Sequence, residues 1–357
     1  MIAVKQVPRI DGSVRASYGD VNRFVSRGSA TYIIEREATT RDFYFLLLPK
    51  MTMLAFSAAL EPFRIANQLT NSCLYRWFLL SEDGLPVQCS NGVSIVVDGS
   101  YAETRPGDTI FVCSGVDGFL AASNRSVGWV RDQARHGRVV GGLCTGAFTL
   151  ARAGLLTGRR FTLHWENQPA FEETFPDLSI SRQIYCRDGN IITCGGGNAA
   201  VDLVVSIIEE QYGEGLATKV AEMCLHGRAR DGGDNQRLSI SAEFGLRHPV
   251  LAKILLDLQS SFGSEVDIAS LATKHGLSRR QLERLFQTHI GSSPARTLRA
   301  MRLEHAQSLL AETDLSLTEI AIVSGFRSYI SLRSAYRQRF GTAPSSRLRR
   351  RSRKPGP

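Results

Sequence analysis

One helix, turn, helix pattern occurs twice in the C-terminal part of this 357-residue chain. The first copy spans residues 267–289 with its turn at Gly276, and the second spans residues 317–340 with its turn at Gly325. Apolar residues recur at helical spacing in both copies, and each glycine supplies the backbone freedom that a tight turn between helices requires. One such copy could be an ordinary helical hairpin, but two in tandem are typical of proteins that read DNA.

The second helix of the first copy has the polarity of a recognition helix. Ser278 can cap its free amide groups, and Gln281 can complete a reciprocal capping box three residues later. An apolar stripe follows and leaves the arginines of this helix on the other faces. The residues of this copy that we predict to contact DNA are Ser278, Arg279, Arg280 and Arg284.

The second copy repeats these signals. Ser316 and Glu319 predict another capping box, and a helix opened by Pro294 separates the two copies. A rigid connecting helix would let both second helices enter successive major-groove segments, roughly 34 Å apart on one face of B-DNA. The predicted DNA contacts of this copy are Arg327, Ser328, Tyr329 and Arg333.

The run from Val266 to Arg347 resembles the AraC/XylS-type DNA-binding domain. The resemblance is carried by the segments SLATKHGLSRRQLERLFQTHIGSSPARTLRAMRLEHAQSLL and SLTEIAIVSGF. One departure follows Gly325, where the family usually shows a Ser-His-Phe-Ser-Arg type of segment and this chain has Ile330 to Ser334. Ile330 then either packs or touches a thymine methyl group. The first copy is therefore expected to be the stronger reader of bases, and the second to position the protein on the DNA backbone.

Positive charge is concentrated in the same region. The chain has 43 basic and 34 acidic side chains, and from Arg247 onward 19 basic side chains stand against 8 acidic ones, a net charge of +11 that leaves −2 for the rest. Neutralisation of DNA phosphates is the usual reason for such a distribution, and it predicts steeply salt-dependent binding. The basic tail, residues 348–357, is expected either to contact phosphates or to stay solvated and disordered.

Length and composition indicate about two domains in a cytoplasmic protein. No apolar run approaches the ~20 residues that span a bilayer, and the N-terminus lacks a secretory signal. The seven cysteines are odd in number and include no CxxC pair, which argues against a zinc site or a disulfide framework. We therefore expect no cofactor, no metal and no membrane partner.

Strand-like and helical patterns alternate ahead of the basic region. Apolar runs at 43–48, 109–113, 138–143 and 191–194 predict strands, and the last three are apolar enough to be buried on both faces. Helical patterns follow them, which indicates an α/β domain with a parallel sheet flanked by helices, followed by an all-α domain. The expected divisions are a flexible extension (1–40), the α/β domain (41–227), a linker (228–247), the DNA-binding domain (248–347) and the tail (348–357).

A sharp turn is predicted at Gly142-Leu143-Cys144-Thr145-Gly146. This G-x-C-x-G elbow lies between a strand pattern and a helix pattern and would hold the cysteine above the sheet. A thiol near a helix N-terminus tends to have a lowered pKa and can act as a nucleophile. A thiol enzyme is therefore one interpretation, with His164 as its candidate base.

The α/β domain resembles the PfpI-like, class I glutamine amidotransferase-like fold, as found ahead of AraC-type domains in GlxA-like transcription regulators. The resemblance runs from Asp42 to Gly227 and is carried by the segments ALEPFRIAN, YRWFLLSEDGLPVQCSNG, GLCTGAFTLARAGLLTGRRFTLHWEN and CGGGNAAVDLVVSIIE. Enzymes of the PfpI type usually place a histidine directly after the elbow cysteine, whereas this chain has Thr145. The resemblance implies a flavodoxin-like sheet, and this departure favours a non-catalytic sensor over an enzyme.

Ligands of parallel sheets bind at the carboxyl ends of the strands. By this rule the predicted ligand-binding residues are Cys144, Thr145, His164, Trp165, Asn198 and Asp202. The resemblance adds Glu61, as the carboxylate that this fold places beside its cysteine. Trp165 paired with Glu61 or Asp202 would suit a cation. Relatives with a similar HWEN segment regulate arginine, carnitine or glycine betaine catabolism, which implies an amino acid or a quaternary amine.

The sequence thus predicts a ligand-responsive transcription regulator, an activator rather than a repressor. Its expected partners are a double-stranded DNA operator, a small-molecule effector, RNA polymerase and a second copy of the chain. Two alternatives stay open: a cysteine-dependent hydrolase or amidase that carries a DNA-binding domain, and an architectural DNA-binding protein without ligand dependence.

Overall fold

The computed structural model describes residues 23–29, 31–34, 38–227, 230, 232, 234, 236 and 248–345. The chain divides into an N-terminal unit, formed by residues up to 164 together with 178–234, and a C-terminal unit, formed by residues 165–177 together with those from 235 onward. The predicted tail, most of the predicted extension and most of the predicted linker lie outside the described residues.

This division differs from the predicted boundaries at one segment. Residues 165–177 fall inside the predicted α/β domain, yet they belong to the C-terminal unit. The chain therefore passes between the two units three times, after residues 164, 177 and 234.

A six-stranded sheet with the order β2-β1-β5-β6-β8-β7 forms the centre of the N-terminal unit. Its strands are β1 (Arg41–Leu47), β2 (Tyr75–Leu80), β5 (Thr109–Cys113), β6 (Val139–Leu143), β7 (Tyr185–Asp188) and β8 (Ile191–Cys194). Neighbouring strands are parallel except β7 and β8. The predicted parallel sheet is thus confirmed, with an antiparallel edge strand added. A separate hairpin consists of β3 (Val87–Gln88) and β4 (Ser94–Ile95).

Helices flank this sheet. Those of the N-terminal unit are α1 (Met53–Thr70), α2 (Gly118–Ala121), α3 (Asn124–Arg135), α4 (Ala147–Arg152), α6 (Ala199–Tyr212) and α7 (Glu214–Met223). Strand β1 shows why its sequence is apolar at consecutive positions, since both faces of the strand are buried. Phe43, Phe45 and Leu47 join the core cluster that includes α1, α6 and α7, and Tyr44 and Leu46, on the alternate face, are also buried.

The C-terminal unit is helical within its described residues. It contains α5 (Gln168–Thr174), α8 (Pro249–Ser260), α9 (Ile268–Lys274), α10 (Arg279–Ile290), α11 (Pro294–Glu312), α12 (Leu317–Val323) and α13 (Tyr329–Phe340). The two predicted helix-turn-helix motifs are α9-α10 and α12-α13. The predicted capping boxes at Ser278 and Ser316 are confirmed, and Ser328 forms a third.

Each motif has a core of its own. Leu282 and Phe286 belong to a cluster beneath the first motif, and Leu332 and Tyr336 belong to a cluster beneath the second. Helix α11 contributes Leu298 to the first of these cores, and other leucines to the second. None of the described helices combines the length and apolar character that crossing a bilayer requires.

Candidate nucleic-acid interface and elbow site

The first motif begins at a strong cap. The hydroxyl and amide of Ser270 and the amide of Ala269 donate to the Asp267 carboxylate, which holds the pKa of Asp267 below its ordinary value. Gly276 then turns the chain with φ of +68°, and the space around it is open. The capping box of Ser278 then starts α10. Side-chain hydrogen bonds between residues close in the chain thus fix the starts of both helices of the motif.

Helix α10 presents a polar face to an open groove of about 830 Å³. The groove is lined by Ser278, Arg280, Gln281, Glu283, Arg284, Gln287, Thr288 and Ser293. Three of the four residues predicted for this motif therefore line one groove. Arg279 is the exception, because it lies outside this lining and its Nε is 3.1 Å from Oε1 of Glu283. The other residues of the lining are not among the predicted contacts; of these, Gln287 and Thr288 lie at helical spacing from Arg280.

The second motif exposes a different surface. Arg333 is exposed, Tyr329 is partly buried, and Arg327 forms an ion pair with Glu265 at 2.7 Å. Ile330 is 78% exposed at the start of α13. Of the two interpretations of this residue, packing within the motif is therefore wrong. An apolar side chain held in water on a recognition helix suits contact with a thymine methyl group.

The predicted elbow is confirmed. Cys144 has φ of +59°, a backbone that residues with a Cβ seldom adopt and that persists only where neighbours enforce it. Its amide donates to the Cys194 carbonyl at 3.0 Å. A Cβ on Gly146 would stand 2.4 Å from the Val112 carbonyl oxygen, so the glycine of the motif is required by close packing.

The Thr52 hydroxyl and the Gly196 backbone lie beside Cys144. Thr52 Oγ1 lies 3.6 Å from Cys144 Sγ. The Thr145 hydroxyl, which stands where PfpI-type enzymes carry histidine, donates to the Gly115 carbonyl at 2.7 Å. Gly196 has φ of +86°, and a Cβ there would lie 2.9 Å from that of Cys144. Thr145 therefore joins the loop after β5 to the elbow.

Backbone strain is concentrated at the carboxyl ends of the strands. Among the described residues, three of the five non-glycine residues with positive φ are Lys50 after β1, Asp117 after β5 and Cys144 after β6. The strand order reverses between β1 and β5, and this is the point where ligands bind in open α/β sheets. Lys50 Nζ lies 2.5 Å from Asp117 Oδ2 there. Both residues follow predicted strands, but neither is among the predicted ligand-binding residues.

Two predicted ligand carboxylates are engaged elsewhere. Asp202 is buried on α6, where one carboxylate oxygen lies 2.8 Å from His226 Nε2 and the other accepts from the Arg230 guanidinium. Glu61 is exposed on α1 and forms an ion pair with Arg64 at 2.6 Å. The buried Asp202 carboxylate is already satisfied by its partners, so we leave it out of the candidate ligand site. Glu61 stays a prediction, because an ion pair this exposed would not prevent a ligand from binding.

The remaining predicted ligand residues divide between the units. The His164 amide donates to the Cys144 carbonyl at 3.1 Å, so this residue lies at the elbow. Asn198 is exposed at the start of α6, two residues after Gly196. Trp165 is exposed and belongs to the C-terminal unit, where its amide donates to the Gln236 side chain.

The neighbouring thiols are core residues. Burial raises the pKa of Cys113, and it raises the pKa of Cys194 to about 12. Both thiols are therefore protonated near neutral pH. No group of three or more histidine, cysteine or acidic side chains within the described residues is placed to hold a metal ion.

Comparison with known proteins matches two families to different parts of the chain. Residues 60–210 match the DJ-1/PfpI family, and residues 271–350 match a helix-turn-helix domain. The chain is 39% identical over 306 residues to the HTH-type transcriptional regulator CdhR of Pseudomonas aeruginosa, a match that covers 86% of this chain and 91% of that protein. It is 37% identical over 309 residues to the HTH-type transcriptional regulator GlxA of Rhizobium meliloti, covering 86% and 95%. The chain belongs to the GlxA-like transcription regulators of the AraC type.

This GlxA-like chain is a DNA-binding transcription regulator, and the groove beside α10 is its first candidate surface for DNA. A shorter match links the chain to an enzyme: it is 30% identical over 179 residues to the isonitrile hydratase of Pseudomonas putida, which covers 49% of this chain and 74% of that protein.

Proposed function

We propose that this regulator is a transcription activator that binds a small zwitterionic effector at the carboxyl ends of β1, β5 and β6. The observation that carries the proposal is the left-handed backbone of Lys50, Asp117 and Cys144 in three adjoining loops. Each such residue costs on the order of 1–3 kcal/mol, and strain of this kind clusters at ligand sites. Thr52, Thr145 and His164 complete the proposed site.

The charges of this site suit an amino acid or a betaine. Lys50 and Asp117 supply one charge of each sign at the switch point, and their side chains are 45% and 18% exposed. The effector carboxylate would pair with Lys50 and its ammonium group with Asp117. An ion pair this accessible is worth little by itself, so a zwitterion can replace it at low cost. The proposed effector is therefore of the class expected from the sequence, an amino acid or a quaternary amine, but Lys50 and Asp117 replace the buried carboxylate of Asp202 in its recognition.

Thermal unfolding of the full chain tests this site. We expect glycine betaine or L-arginine to raise the melting temperature, because a ligand that binds only the folded state stabilises it by mass action. Lys50→Met and Asp117→Asn should remove the shift. Lys219→Met is the matched control, since it breaks a surface ion pair with Glu222 on α7. Equal stabilisation by acetate, which lacks the ammonium group, would contradict a zwitterion site.

A second candidate function is a cysteine-dependent reaction of the hydrolase or hydratase type. The strained Cys144 and the similarity to an isonitrile hydratase favour it. Thr145 weighs against it, because it occupies the position where PfpI-type enzymes carry histidine and its hydroxyl donates to the Gly115 carbonyl. Turnover separates the two functions: if the protein is an enzyme, wild type should turn over an isonitrile or amide substrate and Cys144→Ala should not, whereas absence of turnover by wild type would contradict the enzyme.

Residues 165–177 offer a route from the elbow to the DNA-binding helices. His164 is bonded to Cys144 through its amide, and the next residue begins the C-terminal unit. In that unit Ala170 of α5 is buried in the core of α11–α13, and the Ser308 hydroxyl of α11 donates to the Glu166 carbonyl at 3.0 Å. A movement of the elbow on effector binding would therefore reach α11 along the chain.

Two inserted glycines between His164 and Trp165 test this route. We expect the variant to bind effector and operator separately while the effector no longer changes activation. An unchanged effector response would exclude the segment as the route.

The activator role further implies contact with RNA polymerase. We also expect the protein to form a homodimer, which light scattering of the full chain can measure.

A further inference from the structure

The turn of the second helix-turn-helix motif packs closely against the loop that precedes the first motif. Gly325 has φ of +74°, and a Cβ there would stand 1.8 Å from the Phe262 carbonyl oxygen, in the loop between α8 and α9. Gly276, the corresponding glycine of the first motif, has nothing within 4 Å. The second turn alone of the two is therefore in close backbone contact with a neighbouring segment.

Arg302 closes this junction from α11, the helix that connects the motifs. Its Nη1 donates to the Gly325 carbonyl at 3.0 Å, and its Nη2 donates to the Ser264 carbonyl in the loop before α9. Its Nε is buried without a hydrogen-bond partner among the described residues. One guanidinium thus joins the turn of the second motif, the loop of the first and the connecting helix.

The junction lies between two separate apolar cores, one for each motif. Apolar burial is non-directional and leaves the angle between two packed bodies loosely set. A planar guanidinium that donates to two carbonyls has a fixed geometry, which an ammonium group cannot reproduce. The Glu265–Arg327 ion pair also links the loop before α9 to the second motif, but its side chains are 88% and 90% exposed, so it contributes little.

We propose that Arg302 is a positioning residue that holds the second recognition helix at a fixed place relative to the first, and so sets the base-pair spacing that the protein reads. The proposal rests on both motifs contacting DNA. One added base pair moves a DNA segment by about 3.4 Å and rotates it by roughly 34–36°. Two motifs held rigidly therefore bind well at only one number of base pairs between their DNA segments, whereas two loosely held motifs bind at several.

The test uses an operator selected from random DNA by the full-length protein. Base substitution maps the segment that each motif contacts, and affinity is then measured with zero, one or two base pairs inserted between the segments. We expect wild type to bind at least about tenfold more weakly after one insertion, because a displaced motif no longer reaches the bases that it recognises. Arg302→Gln should bind the original spacing more weakly and weaken less than about threefold on insertion.

Two further variants make the result decisive. Arg302→Lys keeps the charge and the stem but not the fork, and should give an intermediate spacing profile. Arg299→Ala, an exposed arginine of the same helix, should keep the wild-type profile. The proposal is overturned if Arg302→Gln keeps the wild-type spacing profile at reduced affinity, since that outcome indicates a purely structural role. It is also overturned if wild type tolerates insertions, a result that would show that the two motifs do not both read DNA.

Discussion

Gly276 and Gly325 make a matched pair for testing how the DNA-binding helices are held together. They occupy the same position in the two motifs and share a left-handed backbone, with φ of +68° and +74°. Alanine at either position incurs the same conformational cost, about 1–2 kcal/mol. Their surroundings differ, because a Cβ meets open space at Gly276 and lies 1.8 Å from a backbone oxygen at Gly325.

The structure therefore predicts unequal effects. Gly276→Ala should lower the free energy of unfolding by about 1–2 kcal/mol. Gly325→Ala should add the cost of displacing Phe262 or Arg302, for which overpacking gives about 1–3 kcal/mol more. A difference of 1 kcal/mol corresponds to about 4–8 °C in melting temperature for a domain of 60–100 residues.

Thermal unfolding of both full-length variants, followed by circular dichroism, measures this difference. Gly325→Ala should melt at least about 4 °C below Gly276→Ala. Equal melting temperatures would refute it, because they would show that the second turn is no more tightly packed than the first.

Three further tests use substitutions at other sites. Replacing Arg280 and Arg284 by Gln should weaken operator binding and reduce the slope of log affinity against log salt by about 1 for each phosphate that is no longer neutralised; an unchanged slope and affinity would exclude them from the interface. Burial lowers the pKa of His305 to about 4 in the folded protein, below the value of about 6.5 in the unfolded chain. Above about pH 6.5 the imidazole is neutral in both states and the free energy of unfolding is at its full value. Between about pH 6.5 and pH 4 the unfolded chain takes up the proton first, so the free energy of unfolding should fall by roughly 3 kcal/mol. Urea unfolding across this range checks that fall, and His305→Gln should flatten it. Ser316→Ala removes a capping-box hydroxyl and should lower the free energy of unfolding by about 1 kcal/mol; no decrease in urea unfolding would show that the cap is not needed.

The features that the sequence predicts well depend on neighbours close in the chain. The capping boxes at Ser278 and Ser316 join residues three apart, and the turn glycines need only a local backbone conformation. The elbow at Cys144 is similar, because a strand pattern and a helix pattern on either side of G-x-C-x-G determine it. The fold class follows from the same local patterns.

The candidate ligand site was harder to predict because its contacts join distant residues. Asp202 looked available to a ligand, but His226 and Arg230, more than twenty positions away, use its carboxylate. The ion pair of Lys50 and Asp117 spans 67 positions, and no periodicity indicates it. The surrounding loops enforce the left-handed backbones of Lys50 and Asp117, so the pattern of residue types in the sequence does not indicate this strain.

The same reason explains the placement of residues 165–177. Ala170 fits the apolar pattern of a short helix that could cover the sheet, yet it is buried with leucines of α11. Local pattern defines the helix but not the surface that it covers, since many apolar surfaces can accept it.

The central claim is that a zwitterion bound at the elbow changes how the helix-turn-helix motifs engage DNA. The most direct measurement is a titration of the selected operator with the full-length protein at fixed salt, with and without a saturating amount of the zwitterion that raises the melting temperature. The account predicts a change in operator affinity of about fivefold or more, or a shifted footprint. Identical affinity and an identical footprint in the two titrations would contradict it.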